Sequence, residues 1–209
     1  MTGTTYPWRR GNSHRLTVDG EHFFPARERI DIEMYLVTSG QVTAKLIQVL
    51  IAAVQRGVQV RCLFDAGGSR DFVKAEREQL RRAGVDLRFY NPLNWRFGSH
   101  NFYRDHRKIV LVDCLRVMVG GMGLSDPFCQ ADASGQTEWH EQMLLVEGPV
   151  VADWQDLFDR EWERAAQPLT GNSLQLRRKV SVPPHPQGDS GYGRVAYIDS
   201  RHGKEVLNG

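Results

Sequence analysis

The sequence predicts an α/β fold, a mixed and mostly parallel sheet flanked by helices. Two observations lead there: apolar runs of strand length alternate with segments of helical period, and a glycine, Gly57 or Gly84, stands at each helix-to-strand junction. Parallel strands need such crossovers, because each must be joined to the next through a helix lying on a sheet face. At 209 residues the chain holds one sizeable core. Its 41% hydrophobic and 25% charged composition is that of a globular protein. Net charge is only +2, so no overall field favours nucleic acid, and none is expected as a partner.

Arg15 to Val18 reads as a short strand and Asp19-Gly20 as a turn. Ile30 to Val37 is the next strand, with Glu33 alone among apolar residues, and only a short helix fits between the two. Gln41 to Gln55 sets Val42, Leu46, Val49, Leu50 and Ala53 at helical spacing, and Gly57 ends it. Val58 to Phe64 is a buried-type strand that runs into Asp65-Ala-Gly-Gly68, where Asp65 is expected to cap the turn. Asp71 to Ala83 reads as a second helix and Val85 to Tyr90 as the following strand. After a loop carrying Trp95, Arg96, Phe97, Phe102, Tyr103 and Arg104 come two adjacent strands, Lys108 to Val112 and Arg116 to Val119. Glu138 to Val146 is a later strand. Val150 to Ala165 is a helix with Val151, Trp154, Leu157, Phe158 and Trp162 on one face.

Residues 1–168 therefore read as one α/β domain. Residues 169–193, rich in proline, glycine, serine and basic side chains, read as a linker, and 194–209 as the stub of a second, truncated domain opening on the strand Arg194 to Ile198. Cys62, Cys114 and Cys129 fit neither a disulfide framework nor a zinc site, which suits a reducing cytoplasm. No uncharged apolar run reaches membrane-spanning length, so contact with lipid is expected from the surface.

The chemistry concentrates in His106-Arg-Lys108-Ile-Val-Leu-Val-Asp113, of the form H-x-K-x4-D, followed by Gly120-Gly121-Met-Gly123-Leu-Ser125-Asp126. Two places apart on a strand, His106 and Lys108 leave the same face and reach one bound group. Imidazole titrates near neutrality and can attack phosphorus or protonate a leaving oxygen, while an ammonium offsets charge on equatorial oxygens. Asp113 lies an odd number of residues from both and is placed at the strand end, as an orienter or ion-pair partner rather than a proton carrier. On spacing alone, surface polar residues alternating with Ile109 and Leu111 are the commoner explanation. The whole run of motif, turn, second apolar strand, double glycine and Ser125-Asp126 changes that balance.

Together these residues resemble the signature of the phospholipase D superfamily in its cardiolipin synthase form. Trp8 to Asn12, Asp19 to Ala26, Glu33 to Tyr35, Ala53 to Gly57, Leu63 to Asp65, Arg82 to Gly84 and Trp139 to Pro149 extend the likeness to the cardiolipin synthase B type. The resemblance implies a peripheral enzyme on the cytoplasmic side of the cell membrane that transfers a phosphatidyl group through a phosphatidyl-histidine intermediate. Phosphatidylglycerol or phosphatidylethanolamine would be the phospholipid substrate, and no metal or other cofactor would be required.

It implies catalytic roles for His106, Lys108 and Asp113. Gly121 and Ser125 would lie in the substrate-binding stretch, with Glu141 supporting a histidine. The family usually carries asparagine where this chain has Gly123, which removes a side-chain amide donor. It also builds its site from two motifs, whereas this sequence has one, so the chain is expected to need a missing second half or a homodimer. A single-motif homodimeric nuclease or phosphodiesterase, and an inactive lipid-binding remnant, are the alternatives.

Overall fold

The computed structural model describes residues 26–92, 101–129 and 143–166. Six strands, β1 (Arg29–Met34), β2 (Gln59–Asp65), β3 (Asp86–Tyr90), β4 (Lys108–Val112), β5 (Arg116–Gly120) and β6 (Met143–Glu147), form one sheet in the order β3-β2-β1-β4-β5-β6. The sheet is mixed. β1, β2 and β3 pair in parallel, while β4 runs antiparallel to β1, and the β4-β5 and β5-β6 pairs are antiparallel too. The sheet is mixed as expected, and its parallel pairs belong to the half built from strand-helix-strand crossovers. β4 and β5 are joined through residues 113–115 alone, too short a connection for a parallel crossover, whereas β6 pairs with β5 after the longer stretch 121–142.

Four helices complete the described residues: α1 (Gln41–Gln55), α2 (Lys74–Arg82), the single turn α3 (Asp126–Cys129) and α4 (Val151–Ala166). Strand periodicity assigns the sheet faces. Ile30, Ile32 and Met34 of β1, Val60, Cys62 and Phe64 of β2, and Val110 and Val112 of β4 pack in one cluster with Leu46, Leu50 and Ala53 of α1 and Leu80 of α2. Leu63, Tyr90, Ile109, Leu111 and Val117 face the other way, onto Val151, Leu157, Phe158 and Trp162 of α4. Each large apolar side chain fully buried in this manner contributes about 1.5–3 kcal/mol.

α1 and β4 run between the residues expected for them. Most other ends shift by one residue, and three boundaries differ by more, the first two for a tertiary reason. The first strand ends at Met34 because the chain then crosses to a new partner, Val37 bridging Leu124 in parallel. α2 begins at Lys74 rather than Asp71, since Val73 is held extended by its N–H donating to Ser39 Oγ at 2.9 Å. β6 starts at Met143, and residues 138–142 lie outside the described residues. So do the short strand at 15–18, the linker and the terminal stub.

α1 starts at a glycine that supplies no side-chain cap. Asp126 caps it from a distance, its Oδ2 accepting from Gln41 N at 3.0 Å and its Oδ1 from Val42 N at 2.9 Å. A carboxylate at a helix N-terminus satisfies orphan donors and suits the dipole. Gly40 leaves room for it, as a Cβ there would stand 2.7 Å from the Asp126 carboxylate. The Ser125-Asp126 pair therefore has a structural share: it fastens the segment after β5 to the start of α1.

Candidate active site

The C-terminal ends of β1 and β2 meet the N-terminal end of β4 at one edge of the sheet, because β4 is antiparallel to β1 with Met34 opposite Lys108. Tyr35 N donates to Arg107 O at 3.0 Å, extending that pairing past the strand. His106 is exposed, one residue further on, and Lys108 is half-buried as the first residue of β4. The two side chains are brought together around Tyr35. The His106 ring stacks on the Tyr35 ring with centroids 3.7 Å apart and planes inclined by 23°, and Lys108 Nζ lies 5.3 Å from the same ring centroid. Lys108 Nζ also donates to His106 O at 2.8 Å.

His106 has a pKa below that of an ordinary histidine. Burial is the larger cause and the charge of Lys108 the next, opposed by Asp65 and Asp105. A lowered value keeps the imidazole neutral at neutral pH, with a ring nitrogen lone pair available for attack. Replacing Lys108 with methionine is expected to raise the His106 pKa, read as an upward move of its imidazole NMR titration midpoint. An unchanged or lower midpoint would remove Lys108 from the local field.

Asp113 stands at the opposite end of β4. Seven residues from His106 at about 3.3 Å each separate them by roughly 20 Å along the strand. Its backbone is left-handed, φ 53°. Its Oδ1 accepts from Glu28 N and Arg29 N, both at 2.9 Å, and its Oδ2 from Arg27 N at 2.9 Å. Burial raises its pKa, but these backbone N–H groups and the charge of Arg116 outweigh that and hold the carboxyl below the usual aspartate range. Asp113 thus fastens the entry to β1.

Gly121 follows β5, and extending the β4-β5 register two places sets it level with Arg107, beside His106. Ser125 is buried, and its hydroxyl accepts from Thr38 Oγ1 at 2.9 Å. Glu141 lies outside the described residues. A Cβ at Gly123 would come 3.0 Å from Leu36 Cβ, 3.3 Å from Leu36 O and 3.2 Å from Leu36 Cδ2, the last being the contact that a shorter side chain at 36 relieves. Gly123→Asn is therefore expected to cost about 1–3 kcal/mol by overpacking. Leu36→Ala in the same chain would recover part of the loss in urea-unfolding midpoints.

Several residues that shape this edge were not singled out from the sequence as site residues. Asp65 is fully buried. Its Oδ1 accepts from Gly67 N and Gly68 N, both at 2.8 Å, which is the expected turn cap. Its Oδ2 accepts from Asp105 N at 2.9 Å, so the same carboxylate holds the residue preceding His106. Gly68 is required by space, since a Cβ would stand 2.2 Å from Tyr35 O. Arg104, from the loop before β4, turns inward to Asn91 O at 3.0 Å and lies 3.4 Å from Asp65 Oδ1. Phe102 is 85% exposed, whereas Trp95, Arg96 and Phe97 lie outside the described residues.

A mixed sheet covered by helices on both faces, with an H-x-K pair where β4 begins, is the architecture of the phospholipase D-like class. The chain belongs to the family described as "Cardiolipin synthase, PLD-like domain", which matches residues 22–162. It is 31% identical over 172 residues to cardiolipin synthase of Alkalihalophilus pseudofirmus, covering 82% of this chain and 33% of that protein. It is 36% identical over 156 residues to cardiolipin synthase B of Salmonella typhi, covering 70% of this chain and 37% of that one. The chain thus spans little more than a third of the length of these curated relatives. Among solved structures it is similar to a phospholipase D family member, Nuc from Salmonella typhimurium, with 20% identity, a TM-score of 0.48, and 66% of this chain and 80% of that one covered. Among the described residues no helix is long and apolar enough to cross a membrane.

Proposed function

We propose that the chain supplies one half of a phosphatidyltransferase site of the cardiolipin synthase type, working on phospholipid at the cytoplasmic surface of the membrane. The observation that carries this reading is the placing of the His106 imidazole and the Lys108 ammonium around one tyrosine ring where the end of β1 meets the start of β4.

The chemistry runs in two displacements. A ring nitrogen of His106 attacks the phosphorus of phosphatidylglycerol or phosphatidylethanolamine. A P–N bond forms, the P–O bond to the headgroup breaks, and the leaving oxygen takes a proton from a second histidine. An acceptor hydroxyl, the headgroup glycerol of another phosphatidylglycerol, then gives its proton to that second histidine and attacks phosphorus, and the P–N bond breaks. Lys108 and the backbone around Gly121 and Ser125 balance charge on the non-bridging oxygens. Glu141 orients a histidine, and Asp113 contributes by holding the β4 framework.

The second histidine has no counterpart in this sequence, which carries one H-x-K-x4-D motif. A second copy of the chain related by a twofold axis, or the other half of a longer protein, provides it.

Incubating the chain with vesicles of headgroup-labelled phosphatidylglycerol tests the reading. Release of labelled glycerol with formation of cardiolipin is the expected result, with a rate that climbs more steeply than linearly with chain concentration if two copies complete the site. Phosphatidic acid as the sole product would make the chain a hydrolase. Cleavage of DNA with no change in lipid would replace this reading with the nuclease.

A further inference from the structure

Oxygens of two different carboxyl groups meet one N–H beneath His106. Arg107 Nε lies 2.7 Å from Asp105 Oδ1 and 3.0 Å from Glu33 Oε1. Arg107 Nη2 lies 3.5 Å from Glu161 Oε1 on α4, which also receives Arg164 Nη1 at 2.8 Å. Glu33, Asp105 and Glu161 are 0%, 4% and 2% exposed. Three buried acids thus face two guanidinium groups. Two ionised carboxylates on one N–H would repel strongly in so dry a place, and a shared proton turns that repulsion into a hydrogen bond.

We propose that Glu33 is a positioning residue kept as a neutral carboxylic acid whose O–H donates to Asp105, so that Glu33, Asp105, Arg107, Glu161 and Arg164 form a charge-balanced clamp on the two residues that bracket His106. The functional weight of the clamp rests on the reading of His106 as the reacting group.

The proton belongs on Glu33 rather than Asp105 because of what each already receives. Asp105 Oδ1 accepts from Arg107 N at 3.2 Å and Arg107 Nε at 2.7 Å, contacts that favour the ionised form. Neither Glu33 oxygen receives a well-aligned donor from the protein, and both are buried. Burial first, then the hydrogen bond and charge of Asp105, push the Glu33 carboxyl well above its ordinary range, with Arg107 opposing and Glu161 adding to the rise. Burial acts to raise Asp105 too, but the Glu33 hydrogen bond and Arg107 overcome it and hold that carboxyl low.

The neighbouring charges on the same sheet face are engaged elsewhere. On β1 and β2, Asp31 pairs with Arg61 at 2.7 Å, and Asp65 lies by Arg104. On α4, Asp159 joins Arg61 at 2.6 Å, and on β3 the Arg88 guanidinium lies over the Trp162 ring.

Below the unfolded glutamate pKa both states carry the Glu33 proton. As pH rises, the unfolded chain releases it first, so the contribution of the clamp is complete below that pKa and is lost as pH climbs through the raised folded value.

The test is a carboxyl ¹³C and imidazole NMR titration of the whole chain, wild type and Glu33→Gln, with the Glu33 carbon assigned from its own backbone. Glutamine is neutral at every pH and still offers an N–H to Asp105. The expected wild-type result is a Glu33 carboxyl that titrates well above the ordinary glutamate range, with a second inflection in the His106 ring shifts at the same pH, lost in Glu33→Gln. A Glu33 midpoint within the ordinary range, or a second inflection that survives the substitution, overturns the proposal. Should the variant not fold, the wild-type carboxyl titration decides alone. Neither readout involves turnover, so failure of phosphatidyl transfer at His106 and failure of the clamp are seen separately.

Discussion

His106→Ala is expected to lower phosphatidyl transfer by about 10³-fold or more, the upper part of the range that a positioned acid, base or nucleophile supplies. The loss should fall on kcat, because the imidazole forms and breaks the bond to phosphorus while other groups hold the headgroup. Stability should change little by comparison. His106 is exposed, and its main packing contact is the stack on Tyr35, worth about 0.5–1.5 kcal/mol. Initial rates measured beside thermal unfolding of the same preparations separate the two effects. A variant that turns over like the wild type would remove His106 from the reaction.

Asp113→Ala is expected to act in the opposite way, mainly on folding. Its carboxylate accepts three backbone N–H groups at the start of β1, and bonds to a charged acceptor contribute about 1.5–3 kcal/mol each. Two of those donors, on Arg27 and Glu28, are reached by water once the carboxylate is gone, so the net loss is about 3 kcal/mol. Asn retains one acceptor and tolerates the left-handed backbone at this position, so Asp113→Asn should lose less.

The acid dependence follows from the lowered pKa. The contribution of Asp113 is complete above the unfolded aspartate pKa and disappears as pH falls through the folded value. Urea unfolding of wild type and Asp113→Ala should therefore differ at neutral pH and converge in acid. Equal stability at neutral pH would contradict the fastening role.

The H-x-K spacing made the His106-Lys108 pair legible, since the period of a strand alone sends residues two apart to one face. Helix α1 was legible for a similar reason: its apolar residues repeat at 3.6 and a glycine stops it. What the chain order could not disclose is what the sheet register brings together. Glu33 stood out as a lone acid in an apolar strand, yet its partners are Asp105 and Arg107 from the segment leading into β4 and Glu161 from α4, more than 120 residues away in sequence. Tyr35 was visible as part of a family likeness, but its stacking on His106 depends on the crossing of the chain after β1. Asp126 reads locally as part of a glycine-rich motif and acts as the cap of a helix 85 residues earlier.

Titration of the chain with inorganic phosphate, followed at the His106 imidazole and the Lys108 Nζ by NMR, reads most directly whether these two groups serve one phosphate. Both resonances are expected to move along one saturation curve, and Lys108→Met should weaken the curve seen at His106. Shifts at only one of the two groups, or two curves with different midpoints, would contradict a shared site.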